Sequence, residues 1–178
     1  MGCDIHFYTE RFTSSNDYEG PRDISKDRNN KIEEIVDGRP STERWVSADK
    51  WVKMPPSEDD SWAVDWNDHY YGGRNYGLFS ILADVRGDEV PIDLPRGIPS
   101  DASAGYRYMC ERWDGDAHSH SYFTLEELLK VDWSKYESDY VSEFLETIES
   151  MKDIDRDPNK VRCVFSLIIN YDKYNRRL

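Results

Sequence analysis

The chain is poor in cysteine, in long apolar runs and in positive charge. Cys3, Cys110 and Cys163 are its only cysteines in 178 residues. An odd, scattered set does not build a disulfide framework, which points to a reduced, cytoplasmic chain. No stretch approaches the ~18 apolar residues a membrane span needs. The longest apolar run, around Val161–Ile169, is interrupted by Arg162 and Ser166. No basic segment followed by an apolar one opens the chain, so no secretory leader is expected. Lys and Arg number 23 against 36 Asp and Glu, a formal net charge of −13. General DNA or RNA binding requires clustered cations against phosphate, and docking on anionic lipid requires the same, so both are disfavoured.

Aromatic residues compensate for a hydrophobic fraction of only 38%: there are 12 Tyr, 6 Phe and 6 Trp. Each ring buries a large area, so one domain of this length can still build a core. Disorder throughout is excluded on the same ground. Met1-Gly2-Cys3 imitates an acylation signal, but His6 stands where the myristoylation pattern takes Ser or Thr. Gly2 and Cys3 are read instead as the start of a strand.

Hydrophobic periodicity gives a coarse map. Residues 3–12 alternate, with Cys3, Ile5 and Phe7 on one face and Asp4, His6 and Tyr8 on the other, as in a strand. Residues 13–30 and 55–73 are polar or rich in Pro and Gly and read as long loops. Residues 31–37 and 44–54 suggest a hairpin around Asp37-Gly38-Arg39-Pro40. Residues 74–86 carry Leu78, Phe79, Leu82 and Val85 at helical spacing, with Gly87 as the stop. Pro91–Pro99 is extended loop, and Ser100 or Asp101 caps a helix to about Glu111. Thr124-Leu-Glu-Glu127 is a capping box. A longer helix covers about Tyr136–Met151, and Val161–Tyr171 is a final strand. Strands at both ends with helices between them predict a single α+β domain. Its sheet, mixed or antiparallel, includes both terminal strands, with three to four helices packed on it.

Three of the histidines stand in chemically dense surroundings. If residues 114–120 are extended, Asp116, His118 and His120 face one way. A His-x-His pair on one strand face can chelate a divalent ion such as Zn, Mn or Fe. Asp4 and His6 offer the same spacing on the first strand. The expected metal ligands are therefore Asp4, His6, His118 and His120, with Asp116, His118 and His120 as catalytic residues activating water. A hydrogen-bonded polar cluster without metal accounts for the same pattern, and no Cys-x-x-Cys or His-Glu-x-x-His spacing supports zinc. Gly72-Gly73-Arg74-Asn75-Tyr76 precedes a helix, where backbone N–H groups and a guanidinium can hold a phosphate or carboxylate. It lacks the P-loop pattern. Trp66 and His69, in an aromatic loop, complete a candidate ligand site with Arg74, Asn75 and Tyr76.

The blocks MGCDIH, RNYGLFSILADVRG, PRGIP and DGDAHSHSYFTLEEL, in this order, resemble a family of small uncharacterised proteins encoded by bacteriophages and prophages. The resemblance covers the first ten residues and about 74–133. It implies a phage setting and supplies no reaction. Phage accessory proteins often act against host defence, so three functions are expected to compete. One is metal-assisted hydrolysis of a phosphodiester or nucleotide signal. The second is non-catalytic binding of a small anionic or nucleotide ligand. The third is inhibition of a host protein partner by an acidic surface. The oligomeric state is not indicated.

Overall fold

The alternating segment Cys3–Thr13 and the apolar run Val161–Ile169 form the two longest strands, β1 and β8, which pair antiparallel from Cys3↔Ile169 to Arg11↔Val161. The computed structural model describes residues 3–13, 24–26, 32–34, 44–55, 61–87 and 89–169. Arg44–Ser47 (β4) adds to the outer edge of β1, but only along Glu10–Thr13. Ala117–Thr124 (β7) adds to β8, giving a four-stranded antiparallel sheet in the order β4-β1-β8-β7. The expected α+β domain, with the terminal strands paired at the centre of the sheet, is what the chain builds.

The hairpin expected from residues 31–37 and 44–54 is not formed. Arg44–Ser47 pairs with β1, while Ile32–Glu34 (β3) pairs with Ile24–Lys26 (β2) and Trp51–Lys53 (β5) with Trp62–Val64 (β6). Two of these strands therefore lie inside the stretches 13–30 and 55–73 read as loops. Short strands of three residues leave too little periodicity to register, and their partners are chosen by position in space. Residues 14–23, 27–30 and 56–60 of those two stretches lie outside the described residues.

Among the described residues, four α-helices cover the sheet. Tyr76–Ala83 (α1) is capped by the Asn75 side chain and stops earlier than expected, because Asp84 itself takes a left-handed conformation, φ 52°. Ala104–Trp113 (α2) begins at a Ser103 cap rather than at Ser100 or Asp101. Leu125–Leu129 (α3) opens with both halves of the predicted capping box, Thr124 and Glu127. Ser138–Met151 (α4) is the long amphipathic helix.

The strand period of two sends alternate residues to two different layers. Ile5, Phe7, Cys163, Phe165 and Leu167 face α1, α3 and α4, whose Leu78, Phe79, Leu128, Phe144 and Ile148 are all buried there. Phe7 and Phe165 stack, with Phe144 and Phe79 edge-on to them. Tyr8 and Val164 face the other way, toward α2 with Tyr106, Tyr108 and Met109. Glu10 and Arg162 share that second face. Arg162 Nε donates to Glu10 Oε2 at 2.5 Å and NH1 to Asp101 Oδ1 at 2.8 Å, with the guanidinium 4.0 Å above the Trp45 ring. Glu10 Oε1 accepts from the Ser103 N–H at 2.7 Å, so a fully buried carboxylate ties the start of α2 to the sheet.

Candidate functional site

The His-x-His segment does not run as a regular strand. His118 pairs with Leu167 but Ser121 pairs with Phe165, so three steps along β7 match two along β8. That is a β-bulge, and Ser119 within it has φ 53°, a left-handed conformation rarely taken by a side chain other than glycine or asparagine. The bulge is latched from outside. Gly97 N–H donates to the His120 carbonyl at 2.8 Å, Arg96 N–H to Ser121 Oγ at 3.2 Å, and Arg96 NH1 to the Tyr122 carbonyl at 3.2 Å. Gly97 reaches this position at φ 81°, which suits glycine. The PRGIP block thus exists to grip the block containing His118 and His120.

The extra residue changes which way the histidines point. Register places His118 on the face of Leu167, and its Nδ1 lies 2.9 Å from Ser119 Oγ. His120 turns to the α2 face, where its Nδ1 meets the Tyr106 hydroxyl at 3.1 Å and Cys110 Sγ at 3.9 Å. The expected alignment of Asp116, His118 and His120 is therefore corrected. The two imidazoles diverge, and Asp116 belongs to an exposed 3-10 turn, Asp114–Asp116, before the strand begins.

Tyr106 donates its hydroxyl proton to the Phe165 carbonyl at 2.9 Å. His120 Nδ1 faces the same hydroxyl oxygen. Burial is the main cause that lowers the His120 pKa and so favours the neutral imidazole, with the Ala117 carbonyl opposing it and the neighbouring His118 adding to it. Burial pushes the Cys110 thiol up to about 11, so the adjacent sulfur is a thiol and not a nucleophilic thiolate.

His6 shares this face. It stands opposite Ser166 on β8, the strand between its own and the bulge that carries His120. Its Nδ1 is 3.5 Å from the Tyr8 hydroxyl and its ring 5.8 Å from that of Trp113. Arg112, exposed at the end of α2, acts on Tyr8 electrostatically and reaches the Tyr108 hydroxyl at 3.5 Å. Near His6 and His120 the α2 face therefore also carries the Arg112 guanidinium and the Trp113 indole. Asp4 pairs with Ile168 in the backbone, and its side chain lies outside the described residues. Among the described residues, no three or more His, Cys, Asp or Glu side chains are grouped to hold a metal ion. The donor geometry does not fit the expected His118–His120 chelate.

Arg74, Asn75 and Tyr76 do come together, in an open pocket of about 510 Å³ at the start of α1. Asn75 is committed to structure: its Oδ1 caps the Leu78 N–H at 3.0 Å, and its Nδ2 donates to the Asp139 and Tyr140 carbonyls at 2.9 and 3.2 Å. The opposite wall is α4, with Asp139, Tyr140 and Glu143, so the pocket is not the purely anion-attracting cradle expected. His69 is elsewhere. Its Nδ1 lies 3.3 Å from the Phe7 carbonyl on the edge of β1 that β4 leaves uncovered, and its ring packs against Tyr8. Burial lowers its pKa. The Trp66 side chain lies outside the described residues.

Sequence reasoning did not single out Tyr106, Cys110, Arg112 or Trp113. A signal existed: Tyr106, Cys110 and Trp113 recur at helical spacings of four and three, on the face that a polar strand needs for cover. A scan against family models finds no match, and comparisons with curated proteins and with solved structures likewise find none. Among the described residues, no helix is long and apolar enough to cross a membrane.

Proposed function

We propose that this chain is a phage-type accessory protein that cleaves a phosphodiester bond in a small nucleotide by acid–base catalysis on the α2 face. The observation that carries this reading is the pair His6 and His120. They stand on the same face with β8 between their strands, and burial favours the neutral imidazole of His120, whose Nδ1 meets the Tyr106 hydroxyl. A neutral imidazole is the form that accepts a proton at pH 7. In the reaction, the His120 imidazole takes a proton from the attacking water as its oxygen bonds to phosphorus. The ester P–O bond breaks, and His6 in its protonated form gives a proton to the leaving oxygen. Arg112 lies beside His6 through Tyr8 and supplies the positive charge that phosphate requires, while Trp113 offers a surface for a base to stack on.

The test is incubation with linear and cyclic oligonucleotides and dinucleotides, with and without chelator, followed by chromatography. Cleavage that survives chelator and falls at least a hundredfold in both His6→Ala and His120→Ala supports the reading, since each member of an acid–base pair contributes about 10²–10⁴-fold. Cleavage abolished by chelator restores a metal mechanism. Ligand bound but recovered intact after denaturation makes the protein a sponge instead.

A further inference from the structure

The pocket between α1 and α4 has a character of its own. Two glycines let the helices close there. A methyl at Gly77 would run into the ring of Tyr140, and one at Gly73 into the Tyr71 hydroxyl and, at 3.0 Å, Glu143 Oε2. Asn75 then pins the two walls by donating to two successive carbonyls of α4. A rigid opening of about 510 Å³ results, within the range of about 300–1,000 Å³ usual for small-molecule sites.

Its lining carries both signs of charge. On one wall stands Arg74, with the N-terminus of α1 beside it, where the N–H groups of Tyr76 and Gly77 and the helix dipole favour a negative group. The Tyr76 ring is itself held from outside the pocket lining by the Arg86 guanidinium, 4.0 Å over it. On the facing wall stand the Asp139 and Glu143 carboxylates, one helical turn apart on α4. Between them lie the phenol rings of Tyr76 and Tyr140. A phosphate would gain from the first wall but meet two carboxylates on the second. An amine would suffer the reverse. A molecule with one carboxylate and one ammonium on a short frame satisfies both walls.

We propose that this pocket binds a free α-amino acid with an aromatic side chain. Its carboxylate meets Arg74 and the start of α1, its ammonium meets Asp139 and Glu143, and its ring packs between Tyr76 and Tyr140. Arg74 already has contacts within the chain, so binding is an exchange of partners at that group. The site is independent of the histidine face and stands whether or not that face is catalytic.

The test titrates L-phenylalanine into the full chain by calorimetry and by NMR, beside phenethylamine, which lacks the carboxylate, and 3-phenylpropionate, which lacks the ammonium. Saturable binding of L-phenylalanine is expected, with each truncated analogue at least tenfold weaker, because each loses one charge-assisted contact. Arg74→Ala and Glu143→Gln should each weaken binding at least fivefold, while His120→Ala, on the other face of the sheet, leaves it unchanged. Circular dichroism establishes that the variants are folded. Absence of saturable binding up to ~10 mM, a free-energy gain below about 3 kcal/mol, overturns the proposal. Equal binding of an analogue, or no change in Arg74→Ala and Glu143→Gln, overturns it too.

Discussion

The two faces of the sheet are built from the same two strands and yet differ in kind. Toward α1, α3 and α4, the odd-numbered residues of β1 and β8 meet rings and aliphatic side chains in a dry layer. Toward α2, the even-numbered residues bring His6, Glu10, Arg162 and Ser166 beneath tyrosines and a half-exposed cysteine. A dry layer is stabilised in proportion to the apolar area it hides. A polar layer is stabilised only if each buried group finds its partner, and that requirement makes its geometry specific. The first face is held by apolar burial, and the second fixes polar side chains in place.

The comparison breaks most visibly if a charge on the α2 face loses its partner. Arg162→Ala leaves the buried Glu10 carboxylate facing only the Ser103 N–H, and should cost about 3–5 kcal/mol in urea unfolding. Phe144→Ala on the dry face should cost a similar ~3–5 kcal/mol, by cavity formation. The two differ in what restores them: adding Glu10→Gln should recover stability only in the Arg162 variant, because it removes the unpaired buried charge. An equal response to Glu10→Gln in both would erase the distinction between the faces. Gly77→Ala, which forces Tyr140 off α1, should cost ~1–3 kcal/mol by overpacking.

A buried acid at the margin of the two layers sharpens the picture further. Asp49 is 1% exposed, accepts the Thr9 N–H at 2.7 Å through Oδ2, and has a second oxygen, Oδ1, without a partner. Burial raises its pKa to about 8, above the ~3.9 of an unfolded aspartate. The folded state therefore holds a proton that the unfolded state releases across this window. The Asp49 contribution to stability is whole below pH ~4, declines as pH rises, and is lost above pH ~8. Stability of Asp49→Asn, measured from pH 4 to 9, should lack that decline; an unchanged slope would place the titrating group elsewhere. The smallest effect is expected at the bulge. Ser119→Gly relieves the left-handed backbone and should raise stability by up to about 1 kcal/mol, leaving the His120–Tyr106 hydrogen bond intact by NMR.

Much of the framework was legible in the chain because it rests on local patterns. The alternation of Cys3–Thr13, the apolar run of Val161–Ile169, the Thr124–Glu127 box and the helical period before Met151 each state their structure within a few residues. The candidate site was legible in composition but not in arrangement. His6, His120 and Arg74 were identifiable as polar residues in ordered surroundings. Their partners Tyr106, Glu143 and Arg112 lie on other elements, and no short-range signal names them. The three-residue strands at Ile24–Lys26 and Trp62–Val64 escaped for a related reason: at that length, pairing is decided by what lies alongside.

The acidity of the chain, its want of a membrane helix in the described residues and the presence of a strand near each end follow from composition and periodicity. These need only the ordinary geometry of a strand or helix. The direction of each histidine was decided in three dimensions. A strand's period of two places His118 and His120 together, and one extra residue opposite Phe165–Leu167 separates them. That extra residue is accommodated because Arg96 and Gly97, more than twenty positions earlier, supply the hydrogen bonds that the distorted strand would otherwise lack. Backbone groups must be satisfied wherever they are buried, and here the partner that satisfies them also determines which way the imidazole of His120 points.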